Sequence, residues 1–418
     1  RRELDSAALG HDLAALGFCD ADGAASRICR VVEGPHPAEL VAGFLHQLIT
    51  LLSEIADPDE ALIDFERFVH RTDDRVQLFQ FLHANPRAID VMVRLFVSSR
   101  YLTETLLRNP NVLQELTSHR RLAELKSREE FFSQALSIAG SAADFTSRMD
   151  ALRRFQRGEI LRIGACDAFG LIDLRSATTQ LSLLADSLIQ ACLTLTSQEF
   201  SMPTESLTVI ALGKLGGEEL NYSSDIDLIF LTDRSPADVL PLAQRLVKAL
   251  QDSTAEGFLY RVDVRLRPWG RSGELVTTIA SYLEYLRLHA ELWETQALLK
   301  ARIVAGHWPW GQEFLQRAEP LIFGASPDDV RASVRQAKNR IESELRRRGR
   351  VWGEVKLGMG SIRDIEFVVQ ALQLVHGARH RHVRTSNTLD GLVRLTDAGI
   401  LHADEYRRLT DGYVFLRA

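Results

Sequence analysis

Gly213-Lys214-Leu215-Gly216-Gly217-Glu218-Glu219-Leu220-Asn221-Tyr222-Ser223-Ser224-Asp225-Ile226-Asp227-Leu228-Ile229-Phe230 joins a glycine-rich turn to a run that opens on two carboxylates. In an extended strand, alternation places Asp225 and Asp227 on one face and Ile226 and Leu228 on the other. Two residues of rise, roughly 6.6 Å, separate the two acids, so both can converge on one hard cation; without one they repel. Gly216 and Gly217 remove side chains where backbone N–H groups could approach phosphate oxygens. Either motif alone also fits a tight turn or an acid capping a strand in solvent. Together they point to phosphate chemistry.

Around this stretch the hydrophobic period is two. Leu207–Leu212, Asp225–Leu231 and Phe258–Leu266 are short runs rich in β-branched and aromatic residues and predict three strands. Leu242, Leu246, Val247 and Leu250 have helical spacing between the second and third, giving a strand-helix-strand unit. In Arg261-Val262-Asp263-Val264-Arg265-Leu266-Arg267-Pro268 the apolar residues share one face, and Asp263 shares the other with three arginines. Paired beside Asp225–Phe230, Asp263 becomes a third carboxylate for a second metal, with Arg265 and Arg267 facing a triphosphate. The alternative is a charge-laced edge strand in which Asp263 neutralises its arginines.

The flanks are helical. From Pro37 to Leu122 apolar residues recur at three- and four-residue steps, with breaks at Asp57-Pro58, Asn85-Pro86 and Asn109-Pro110. Leu181, Leu184, Leu188 and Leu193 continue that period, and helix is expected again from Ile279 to Val304. Ser326-Pro327 reads as an N-cap with proline at the first helical position, opening a helix that Gly349 closes. The predicted fold is mainly α with a small α/β domain. It divides into a helical N-terminal region (1–136), an α/β domain with a helical lead (137–312) and a C-terminal helical bundle (313–418).

The 418 residues carry 50 Lys+Arg against 56 Asp+Glu, a net charge of −6, which disfavours a global polyanion binder and argues against nucleic acid as a partner. With 45% hydrophobic and 25% charged residues the chain is neither disordered nor collagen-like. Cys19, Cys29, Cys166 and Cys192 form no C-x-x-C pair and predict a reducing, cytoplasmic setting. No apolar stretch approaches the roughly 18–20 residues of a membrane span, and Arg1-Arg2-Glu3 does not open a signal peptide. The missing initial Met and the apolar ending Tyr413–Ala418 predict a fragment of a longer chain.

The paired glycines, the D-x-D and the distant third Asp resemble the nucleotidyltransferase superfamily of DNA polymerase beta. Longer stretches are similar to one member, the bacterial glutamine synthetase adenylyltransferases: Gly213–Phe230, Tyr260–Pro268, Gly270–Val276, Trp293-Glu294 with Lys300–Ile303, and Lys356–Gln370. The resemblance implies a DNA polymerase beta-like sheet flanked by helices, representing one catalytic half of a bifunctional enzyme. It further implies two Mg²⁺ ions on Asp225, Asp227 and Asp263, ATP or ADP as nucleotide, and glutamine synthetase as protein substrate, with a P-II type nitrogen signal protein as a further partner. One half of such an enzyme attaches AMP from ATP to a tyrosine and the other removes it by phosphorolysis to ADP. Asn221–Asp227, Arg267–Gly273 and Lys356–Phe367 look closer to the removing half, whereas Leu95–Leu116 resembles the lead of either. Other classes to separate are a uridylyltransferase or another nucleotidyltransferase, and a non-enzymatic helical regulatory module.

Several supporting residues have two readings. Lys214 reaches a phosphate or is solvated beside the turn; Ser223 and Ser224 bond phosphate or cap the turn. Trp293 and Lys300, seven apart on an expected helix, share a face, so that Trp293 packs in the core while Lys300 and Arg302 point at the nucleotide. Asp263 is a metal ligand or a general base. Asp364 and Glu366 meet the nucleotide from the helical domain, or Asp364 caps a helix. Arg346–Arg350 complements a helix C-terminus. His376 and His380, beside Gly377, Arg379 and Arg381, read with His382 as solvated rather than zinc-binding.

Overall fold

The computed structural model describes residues 6–33, 38–118, 123–349 and 354–417. The expected helix start at Pro37, Arg350 in the arginine run and the terminal residues Arg1–Glu3 and Ala418 lie outside them. Two compact units form, one from 1–125 with 156–173 and the other from 126–155 with 174–418.

The first unit is helical. Asp57 and Asp74 cap Pro58–Arg71 and Arg75–Ala84 through their carboxylates, and Pro58 and Pro86 occupy first helical positions, where a missing N–H costs nothing. Asn109-Pro110 separates Arg100–Arg108 from Val112–Ser118. The apolar stripes of these helices meet in a core that includes Phe44, Phe65, Phe79, Met92 and Leu95, all almost fully buried. Phe44 lies 4.9 Å from Phe79, ring centre to ring centre.

The second unit surrounds a small mixed sheet: β1 Thr208–Leu212, β2 Ile226–Thr232, β3 Val262–Asp263, β4 Val276–Thr278 and β5 Arg302–Gly306. The order is β3-β2-β1-β5, with β4 also on β2; β1 is antiparallel to β2 and β5, whereas β3 and β4 run parallel to β2. Helix Pro236–Gln251 crosses over between β2 and β3. Ile210, Leu212, Ile229 and Leu231 pack with Tyr282, Phe314 and Ile322 on one side of the sheet. Beyond it, Ser326 caps Pro327–Arg347, Gly349 follows with φ +66°, and helices Ile362–His376, Thr388–Asp397 and Ala403–Arg417 complete the unit.

Two expectations need correction. Ile279–Val304 is not helical throughout: helices Ile279–Leu288 and Leu292–Ala297 and a 3₁₀ turn Leu298–Lys300 lead into β5, an added sheet strand. The apolar Ile303, Val304 and Ala305 fit a buried strand as readily as a helix, and pairing with β1 decides. The third predicted strand is two residues long, Val262–Asp263, and the chain turns directly after it at Val264–Arg267, where Arg267 bonds back to the Val264 carbonyl. None of the described helices is long and apolar enough to cross a membrane.

Candidate active site

The order of the strands brings two of the three acids, Asp227 and Asp263, together. Leu212 at the end of β1 pairs with Asp227, and Asp227 pairs with Asp263 across the parallel β2–β3 ladder, so the two carboxylates leave the same face of neighbouring strands, about 4.8 Å apart in backbone spacing. Asp225 stands two residues before Asp227, just outside the strand, and is exposed. Flanking Ile226, Leu228 and Ile229 are buried and anchor the strand from its opposite face and centre.

Arginines already engage two of the acids. Arg265 clasps Asp263 through Nε, 2.8 Å from Oδ2, and its own amide donates to Oδ1 at 2.8 Å; this holds the Asp263 carboxyl below its ordinary range. Arg261 binds Asp225 and the carbonyl of Ser223, the latter at 2.8 Å. Asp227 has the opposite electrostatics: burial, and then the charges of Asp263 and Asp225, push it up to about 6. In this arrangement no group of three or more His, Cys, Asp or Glu among the described residues is gathered tightly enough to hold a metal ion. The donor chemistry nevertheless suits a hard cation: Asp227 and Asp263 leave one face of neighbouring strands with Asp225 two residues away, and guanidinium groups occupy oxygens of Asp225 and Asp263 that a cation would use.

The glycine turn is a single helical turn, Gly213–Gly216, directly after β1. Gly213, at φ +57°, abuts the acids: a Cβ there would lie 2.2 Å from Oδ2 of Asp227. Gly216 is glycine for another reason, since a Cβ would lie 1.9 Å from the carbonyl oxygen of Lys300. The N–H of Gly217 bonds the Gly213 carbonyl at 3.1 Å, so it serves the turn. The position beside the chemistry is therefore Gly213, legible in the sequence as the residue that ends the apolar run of β1.

The remaining predicted ligands are placed as follows. Lys300 is buried and pairs with Glu219, with Thr388 Oγ1 3.2 Å away, so it ties the turn to helix Thr388–Asp397 although it also borders the cleft below. Arg302 pairs with Asp186, whose side chain is wholly buried, and donates to the carbonyls of Leu215 at 2.7 Å and Gly216 at 3.2 Å. Arg267 donates to the carbonyls of Val264, Gly273 and Arg271, bracing the loop that carries exposed Trp269 at φ +62°. Lys214 is half-buried, and burial together with nearby Arg417 and Lys356 lowers it to about 8. Ser224 Oγ accepts from the Asn221 amide at 3.2 Å and so caps the turn; Ser223 is exposed.

Trp293 is not a core residue: it is 42% exposed, lies on the short helix before Lys300 rather than on a shared one, and donates from Nε1 to Glu291 at 2.8 Å. Asp364 pairs with Lys338 and accepts from the Gly360 amide at 2.8 Å, closing the loop before its helix, while buried Glu366 sits 3.9 Å from Lys300. Arg346, Arg347 and Arg348 pair with Glu342 and Glu344 in their own helix. His376 is half-buried, and His380 and His382 are exposed with rings 5.8 Å apart. The sequence reading missed Asp186 and Glu219. Asp186 had a signal, as the lone acid before Glu199 in the otherwise uncharged run after Arg175.

Gly213, Asp227, Asp263 and Arg265 open onto a cleft of about 1170 Å³, walled opposite by helices Pro327–Arg347 and Ile362–His376. The second unit is thus mainly helical around a small mixed sheet, with acids at adjoining strand ends beneath a glycine turn. The family model for glutamate-ammonia ligase adenylyltransferase matches residues 89–317, and that for GlnD PII-uridylyltransferase matches 335–418. Among curated proteins, bifunctional glutamine synthetase adenylyltransferase/adenylyl-removing enzymes are similar. The Streptomyces avermitilis protein is 35% identical over 88% of this chain and 38% of its own length. That of Hahella chejuensis is 36% identical over 78% and 36%, and that of Streptomyces coelicolor 34% over 96% and 40%. The chain belongs to the glutamate-ammonia ligase adenylyltransferase family. It spans about two fifths of the length of these relatives.

Proposed function

We propose that this chain carries a nucleotidyl-transfer site acting on a tyrosine of glutamine synthetase, and that it removes AMP by phosphorolysis to ADP. The observation that carries the reading is the pairing of Asp227 with Asp263 beside Asp225, beneath Gly213 and at the floor of one cleft. The family supports the adenylyl group, the names of the relatives supply the protein substrate, and the wording of Asn221–Asp227 and Arg267–Gly273 supports removal over addition.

Asp225, Asp227 and Asp263 would hold Mg²⁺, two ions in this reading, which supplies charge neutralisation for the phosphates. Arg261 and Arg265, which hold Asp225 and Asp263 here, would have to release those carboxylates to it. Gly213 leaves room for Asp227 to keep its orientation, and the loop braced by Arg267 sets the rim of the site. In removal, an oxygen of inorganic phosphate forms a bond to the adenylyl phosphorus as the bond to the tyrosine oxygen breaks; ADP leaves, and the tyrosine oxygen takes up a proton. Addition would use the same site with the tyrosine oxygen attacking the α-phosphorus of ATP and pyrophosphate leaving.

The test is to incubate the chain with Mg²⁺, phosphate and AMP-modified synthetase, and separately with ATP and unmodified synthetase. Phosphate-dependent ADP release faster than AMP addition is expected. Rapid addition with ADP at background refutes the direction, and neither reaction refutes the function. The match of 335–418 to the PII-uridylyltransferase model favours a second reading, UMP transfer to a P-II type protein, or P-II as a regulator of this chain. UTP competing better than ATP would select the uridylyl reading.

A further inference from the structure

The cleft wall facing the acids is unlike the inner side of an ordinary packed helix. Helix Pro327–Arg347 is 21 residues long but buries only Val330 and Leu345. Its cleft face carries Ser333, Gln336 and Arg340 at three- and four-residue steps, interleaved with Ala332, Ala337 and Ile341 and with Asp329 at its start. The adjoining helix turns Arg363, Phe367 and Gln370 to the same space. A helix that buries so little and sets Ser333, Gln336 and Arg340 among small apolar residues along a cavity of this size leaves polar groups there for an occupant to meet.

Two guanidinium groups define the charge of that occupant. Arg340 is exposed to the cleft and makes no hydrogen bond or ion pair among the described residues. Arg363 pairs through Nε with Glu366 at 3.5 Å, without a hydrogen bond, and its guanidinium lies 5.7 Å over the Phe367 ring; Glu366 also faces Lys300. Arg363 also acts on Asp227, favouring its charged form. The cleft thus has Asp227 and Asp263 on the sheet side, the latter held by Arg265, and on the helix side Arg340 with no partner among the described residues and Arg363 sharing Glu366 with Lys300.

We infer that Arg340 and Arg363 form an anion subsite for a phosphoryl group, across the cleft from the acids. Guanidinium donors match phosphate oxygens in pairs, and two of them on separate helices can grip a group that neither neutralises alone. The inference rests on the cleft being the nucleotidyl-transfer site. The phosphoryl group has two sources, inorganic phosphate entering as co-substrate or the terminal phosphates of the nucleotide.

The experiment titrates the full chain with inorganic phosphate, AMP, ADP and adenosine by calorimetry, beside Arg340→Gln, Arg363→Gln and Arg363→Lys, with thermal melts as folding controls. At least tenfold weaker binding of phosphate or ADP in the two Gln variants is expected, with adenosine unchanged and Arg363→Lys in between. Loss confined to inorganic phosphate assigns the co-substrate; loss for ADP but not AMP assigns the nucleotide tail. Unchanged affinities in both Gln variants, or adenosine weakened equally, overturn the subsite. If Arg363→Gln melts early, the exposed Arg340→Gln decides alone. Binding needs no turnover, so an inactive Asp227→Asn chain that still binds phosphate separates failure of the subsite from failure of the transfer reading.

Discussion

Replacing Asp227 by Asn should stabilise the protein while abolishing transfer. Burial and the facing carboxylates raise Asp227 from its ordinary 3.8 to about 6, so at pH 7 the folded chain carries a charge that it holds less favourably than the unfolded chain does. Each pH unit of that difference is worth about 1.4 kcal/mol, which puts the penalty at about 3 kcal/mol, removed by a neutral isostere. Below about pH 4 the carboxyl is protonated in both states and the substitution gains nothing. Between 4 and 6 the folded state keeps a proton the unfolded state has lost, and wild-type stability falls as pH rises. Above about 6 the full penalty stands. In metal-free buffer, thermal melts at pH 5 and pH 8 should show the variant's advantage growing with pH to roughly 5 °C or more. Transfer should fall by about 10²-fold or more. An advantage that is absent at pH 8, or equal at both pH values, refutes the electrostatic account.

Arg302→Ala strands the buried Asp186 carboxylate and two carbonyls of the glycine turn and should cost about 3–5 kcal/mol in urea unfolding; unchanged stability with weakened ATP binding would make it a nucleotide ligand instead. Gly213→Ala drives a methyl into Asp227 from a left-handed backbone and should lose at least about 10²-fold in rate while remaining folded. Gly216→Ala, against the Lys300 backbone, should show its defect first in the melting temperature. Arg267→Ala frees three loop carbonyls and should cost about 2 kcal/mol, with faster amide exchange confined to residues 264–273; an unchanged exchange pattern would remove its bracing role.

Local order determined much of this protein. Alternation at Asp225-Ile226-Asp227 set two acids against an apolar face, and turn residues announced the helix starts at Asp57, Asn85 and Ser326, because strand pleat and helix capping depend on neighbours a few residues away. The same locality made Asp263 a candidate, with strand pairing left as the condition. Partnership across long separations was not legible. Lys300 and Arg302 follow each other closely in a motif, but what they touch is set by Glu219 and Asp186, which lie 81 and 116 residues away along the chain. Arg265 and Arg267 look equivalent on paper; one clasps an acid and the other braces a loop, because the chain turns between them. A charged side chain takes its role from whatever folding places within a few ångströms of it, and only the tertiary structure supplies that neighbour.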